Sequence, residues 1–175
     1  MAFKINYEDM LWAALSPELT LLFTAFFLLL IGLKKNFNTN EYLSKAALVG
    51  IAIALFFSFA LWESAPTIES GLSPDMFSKS LIHDKFGQGF NIIFLLIAMF
   101  AVLGSVKYPQ SSHENKSEYF SLILMAVVGM MFLAKSGNLI TAFVSLEIFS
   151  ISLYILCGFS AKHGTGKEHP SNAPE

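Results

Sequence analysis

The sequence predicts an all-α integral membrane protein with about five transmembrane helices. Three observations carry that expectation: 54% of the 175 residues are apolar, only 14% are charged, and the mean hydropathy is +0.58. An ordinary soluble domain carries roughly 25% charged residues. A globule this small has too little interior for 18 Phe unless much of its surface faces lipid. The same composition excludes an intrinsically disordered chain. The net charge of −2 arises from 13 acids against 11 bases, all of them lysine. Without arginine there is neither a phosphate-reading patch nor bidentate carboxylate recognition, so the expected surroundings are the lipid bilayer and other membrane chains, with no nucleic acid. The lone Cys157 cannot build a disulfide framework or a cluster site.

About 20 apolar residues are needed to cross some 30 Å of hydrocarbon. Five stretches meet or approach that length: residues 11–33, 43–62, 89–106, 119–134 and 138–159. Together they define a transmembrane region over residues 1–159, followed by a polar loop or tail over 160–175. The first stretch is no cleaved leader, because its apolar run is too long and Lys34-Lys35-Asn36 is no small-residue cleavage site. Within it, Ser16-Pro17-Glu18 supplies a capping hydroxyl, a proline that needs no intrahelical donor and an acid facing the positive end of the helix dipole. The first helix proper therefore starts near Pro17. In the second stretch Ala46, Gly50 and Ala54 lie four apart, a spacing of small residues that lets helix backbones approach closely.

Between the second and third stretches, Met76, Phe77, Leu81, Ile82 and Phe86 suggest a short interfacial helix. The fourth stretch is short by count, and Lys135 beyond it is read as a lysine reaching from the helix end to the headgroups. Ser136-Gly137-Asn138 is a turn tight enough to force the fourth and fifth helices into an antiparallel pair. Lysines set the orientation. Lys4, Lys79, Lys85 and Lys135 fall on one face of the membrane and the remaining seven on the other, which puts the N-terminus outside and the tail after residue 159 inside.

The strongest chemical signal is Glu147, which lies close to mid-depth of the fifth stretch. Insertion of an acid at that depth costs about 2.5–3.5 kcal/mol, so a carboxyl there is a candidate for function. Ser150 and Tyr154 follow at i+3 and i+7 on the same helical face, as candidate hydrogen-bond partners in a polar stripe. Burial and a nearby lysine act on a carboxyl's proton affinity in opposite senses, the combination a proton relay needs. The alternative is a protonated packing residue. Glu18 and Glu118 stand at helix starts, where a first-turn acid at the interface explains them. His83, His113, His163 and His169 all fall in loops or the tail, which argues against an intramembrane haem. Gly164-Thr165-Gly166-Lys167 lacks the remaining residues of a phosphate loop.

Four runs also carry a resemblance: Glu118-Tyr119-Phe120-Ser121-Leu122, Gly129-Met130-Met131-Phe132-Leu133-Ala134, Asn138-Leu139-Ile140-Thr141, and the ten residues from Ser145 to Tyr154. With them the chain resembles the antiporter-like membrane subunits of respiratory complex I, the proton-pumping NADH–quinone oxidoreductase, and the subunit N branch most closely. The opening Leu15-Ser16-Pro17-Glu18-Leu19 is similar to the first-helix start of that branch. The resemblance implies a fourteen-helix antiporter-like fold of which this chain holds the N-terminal five helices, as a piece of a longer protein or a naturally short one. It implies that Glu147 relays protons with a lysine on a later helix. It further implies a site in the bacterial cell inner membrane, with the N-terminus periplasmic and the tail cytoplasmic, among other membrane-arm subunits of complex I. No cofactor is expected in this chain, while NADH, flavin, iron–sulfur clusters and quinone are expected on partner subunits. Two other readings stay open: a subunit of a multisubunit sodium/proton antiporter, and a non-catalytic membrane scaffold in which Glu147 only packs.

Overall fold

A computed structural model describes residues 12–32, 40–63, 65, 75–76, 80–106 and 116–161. Five helices account for nearly all of these residues: α1 Ser16–Gly32, α2 Asn40–Trp62, α3 Lys85–Val106, α4 Lys116–Ala134 and α5 Leu139–Ala161. Four of them, α2 to α5, are long and apolar enough to cross a membrane. The fifth, α1, has 17 residues, which at 1.5 Å per residue span about 26 Å. A helical turn over residues 12–14 precedes it, so the expected span 11–33 is divided at its start, next to Pro17. The all-α membrane architecture is thereby observed.

The helices alternate in direction, and α4 is the centre of the bundle, packing against α1, α2, α3 and α5. More than half of its apolar stretch is buried: Phe120, Leu124, Val128 and Met131 share the core with Leu21 and Leu28 of α1, Ile51 of α2 and Leu95 of α3. The small-residue face of α2 does what its spacing suggests. Gly50 is buried against the side chain of Thr24 on α1, in a place no Cβ would fit. Ser121 of α4 donates to the Ala25 carbonyl of α1 at 2.9 Å, a side-chain bond across the same core.

The connection between α4 and α5 also forms as the sequence suggests. Asn138 Oδ1 accepts from the Thr141 backbone N–H at 2.8 Å and caps α5. The two helices then run so close that a Cβ on Gly129 would lie 2.8 Å from the Phe149 backbone nitrogen. Helix α3 starts a turn before its apolar run, at Lys85, because Asp84 Oδ1 caps the Gly87 N–H at 2.8 Å.

The expected interfacial helix between α2 and α3 is corrected. Asp75–Met76 and Leu81–Ile82 form two short antiparallel strands, β1 and β2, and Phe86 belongs to α3. The physical reason is an alternative set of backbone partners. Ile82 N–H donates to the Lys135 carbonyl at 2.8 Å and Gly137 N–H to the Ser80 carbonyl at 2.9 Å, so the segment is tied in extended form to the α4–α5 turn. Phe77 and Lys79, the loop histidine His113, and the tail from 162 to 175 with His163 and His169 lie outside the described residues.

Candidate functional site

Two carboxyls stand in contrasting surroundings. Glu147 is the ninth residue of α5, about 12 Å along the helix from Leu139 at 1.5 Å per residue. That depth places it near the middle of a spanning helix. Its side chain is exposed, on a face shared with Phe143, Ile151 and Tyr154, all of them exposed as well. Ser150 is half-buried and Tyr154 is 73% exposed. The helix thus aligns the three polar groups along one side, with no hydrogen bond between any two of them. Opposite that side, α5 leans on α4 through Ser145 and Ser152, which are buried and bond back to the Thr141 and Ile148 carbonyls.

The second carboxyl corrects the sequence reading. Lys135 is not a lysine at the headgroups: it is 2% exposed, and its Nζ lies 2.6 Å from Oε1 of Glu18, which is fully buried. Lys135 Nζ also donates to the Ala14 carbonyl at 3.1 Å, and Asn91 Nδ2 donates to the same Glu18 oxygen at 2.7 Å. Glu18 is therefore a buried ion-pair partner, not a first-turn acid facing water. The physical reason lies in the alternation of the helices. The starts of α1 and α3 and the end of α4 meet at one end of the bundle, and the strap over residues 80–84 covers them. Gly87 permits the approach, since a Cβ there would meet Lys135 Cγ at 3.1 Å.

Further polar groups surround this pair. Gln88 is fully buried one turn before Asn91 on α3 and donates to the Ser58 carbonyl of α2 at 2.9 Å. His83 is a buried residue of the strap, and burial is the main reason its pKa lies below the ordinary value of 6.5. The positive charge of Lys135 adds to that lowering, while Glu18 and Asp84 oppose it. Sequence signals for the cluster existed. Two amides three residues apart near the start of an apolar helix point to a polar face, and the lysine distribution had already put Lys135 on the membrane side where the first helix begins. Among the described residues no group of three or more His, Cys, Asp or Glu is placed to hold a metal ion.

No protein-family model matches the sequence. Individual proteins do. The chain is 38% identical over 144 residues to NADH-quinone oxidoreductase subunit N of Trichlorobacter lovleyi, covering 82% of this chain and 28% of that protein. It is 36% identical over 166 residues to the protein of the same name from Anoxybacillus flavithermus, covering 94% of this chain and 31% of that one. With F(420)H(2) dehydrogenase subunit N of Methanosarcina mazei it shares 29% identity over 154 residues, 88% of this chain and 31% of the relative. The resemblance to subunit N thus runs through most of the sequence, and the chain spans about three-tenths of the length of the curated relatives it matches.

Proposed function

We propose that this chain, a homologue of subunit N of the NADH–quinone oxidoreductases, acts in the membrane arm of such a complex and takes part in translocating protons as electrons pass from NADH to quinone. The observation that carries the reading is Glu147: a carboxyl near mid-depth of a spanning helix, on the side of α5 that the other four helices leave bare. An acid at that depth is costly unless another group meets it. In this reading Glu147 binds and passes on a proton, a basic group from outside these 175 residues holds it ionised between transfers, and Ser150 and Tyr154 offer hydroxyls along the exit from the carboxyl. The chain contributes no redox centre. Flavin, iron–sulfur clusters and quinone belong to partner subunits, and the N-terminus faces the periplasm of a bacterial inner membrane.

Glu147→Gln tests the assignment, because it keeps the shape and removes the titratable proton. NADH-driven proton uptake in sealed membrane vesicles falls severalfold while assembly stays normal, and Glu147→Asp retains part of the activity. Unchanged proton-to-electron coupling in the Gln variant overturns the relay and leaves Glu147 a packing residue.

A further inference from the structure

Among the described residues, five buried side-chain atoms have no hydrogen-bond partner in the protein: Glu18 Oε2, Ser58 Oγ, His83 Nδ1, Gln88 Oε1 and Asn91 Oδ1. All five belong to the end of the bundle that holds the Glu18–Lys135 pair, where α1 and α3 begin and α2 ends. Their side chains are deeply buried, from 0% exposure for Glu18, Ser58, Gln88 and Asn91 to 4% for His83. Proteins pair roughly nine-tenths or more of such groups, and where no protein group reaches them, water does. A structural ion pair in low dielectric is favourable only when its remaining lone pairs are also met. Glu18 departs from that condition, since both of its protein donors, Lys135 and Asn91, go to Oε1 and leave Oε2 bare.

The chemistry of the unpaired atoms selects the occupant. Four are oxygens that accept, and the hydroxyl among them also donates. A metal cation would suit oxygens alone, but the Lys135 ammonium already fills the cationic place beside Glu18 and would repel it. Water suits all of them. Gln88 and Asn91 stand one turn apart on α3, so a short chain of water molecules can reach from Ser58 past both amides to Glu18.

We propose that this end of the bundle is a hydrated proton-binding site, in which water held by Asn91, Gln88 and Ser58 joins Glu18 Oε2 to His83 Nδ1 and through it to the aqueous face. The transfer balances without a co-reactant. His83 takes a proton from solvent at Nε2 and gives the one on Nδ1 to the neighbouring water, which passes one of its own to Glu18 Oε2. One O–H bond forms on the carboxyl, the imidazole returns to neutral, and the cluster gains one positive charge. Lys135 keeps its proton and holds the resting carboxyl ionised. The charged groups acting on His83 are Lys135 from the end of α4, Glu18 from α1 and Asp84 before α3; α2 brings only the neutral Ser58, and Glu63 beyond its end is exposed. The site stands on packing within this chain and does not depend on the role proposed for Glu147.

Infrared difference spectroscopy tests it on the protein purified with its native partners in lipid nanodiscs. The band lost in Glu18→Gln identifies the Glu18 carboxylate. In the unaltered protein that band shifts promptly on exchange from H2O to D2O, and His83→Phe slows the shift several-fold while leaving the helical signal unchanged. A Glu18 band that ignores D2O, an exchange rate unaffected by His83→Phe, or a band moved by sodium ions and not by pH overturns the proposal. If Glu18→Gln does not fold, a high-resolution density map of the unaltered protein decides: ordered water within hydrogen-bond distance of Oε2 supports the site, and protein atoms packed dry against it exclude it. None of these readouts requires NADH oxidation, so their failure is separable from failure of the assignment of Glu147.

Discussion

Glu18 and Glu147 are both acids on apolar helices, yet the bundle treats them oppositely. Glu18, near the end of the bundle, is sealed from solvent and lipid and bound to a lysine and an amide. Glu147, near mid-depth, points away from every other helix described. The helix that brings Glu18 its lysine and the helix that carries Glu147 differ in the same way. In the apolar stretch of α4, whose end supplies Lys135, 56% of residues are buried, against 11% in the corresponding stretch of α5. Depth along a helix therefore says which acid is expensive, while the neighbours decide which one has a charge partner. Glu18 finds a cation within this chain, and Glu147 finds none among the described residues.

The contrast makes graded expectations for stability. The largest effect belongs to Lys135→Met, which strands the Glu18 carboxylate in a buried site and costs about 3–5 kcal/mol, read as a lower unfolding midpoint in detergent. Adding Glu18→Leu to that variant recovers most of the loss, because the unpaired charge disappears with it. A double variant as unstable as Lys135→Met would show that packing, and not charge, dominates this end.

Gly129→Ala comes next. The new methyl group presses on the Phe149 backbone, so α4 and α5 must separate at a cost of about 1–3 kcal/mol. Crosslinking yield between cysteines placed across that seam reports the separation. Asp84→Ala removes the cap of α3 and costs about 1 kcal/mol, with protection of the Gly87 amide from hydrogen exchange falling accordingly.

His83 adds a pH dependence of definite sign. Its pKa is lowered in the fold, chiefly by burial and then by Lys135, so between that lowered value and 6.5 the unfolded chain binds more protons. Stability from the neutral imidazole is complete above pH 6.5 and is lost as the pH falls below it. In His83→Phe this part of the acid sensitivity disappears, which paired unfolding curves at neutral and mildly acid pH detect. The smallest effect is expected of Glu147→Gln, which changes stability by no more than about 0.5 kcal/mol. A large destabilisation there would remove the distinction between the two acids.

The helical face that carries Glu147 was legible in the sequence, and the buried cluster around Glu18 was not. Glu147, Ser150 and Tyr154 share a helical face because 3.6 residues per turn leaves them no alternative, and the structure places them along one side of α5. Lys135 was misread for an equally physical reason. A lysine just past an apolar run reaches headgroups when its helix stands alone, and only the neighbouring strands and helices turn it inward.

What the sequence determined by itself is local and periodic: an all-α membrane architecture, helices bounded by Pro17 and by the Ser136-Gly137-Asn138 turn, a small-residue seam at Gly50, and an acid at mid-depth. Each follows from chain length, apolar runs and backbone preferences that act over a few residues. What only the tertiary structure decided is which distant groups meet. Glu18 and Lys135 are separated by four helices' worth of chain and touch because the ends of antiparallel elements converge. Residues 81–82 become a strand instead of a helix because the α4–α5 turn offers them backbone partners. Hydrogen bonds and charges act over a few ångströms in space without regard to sequence separation, so no local pattern could have assigned these partners.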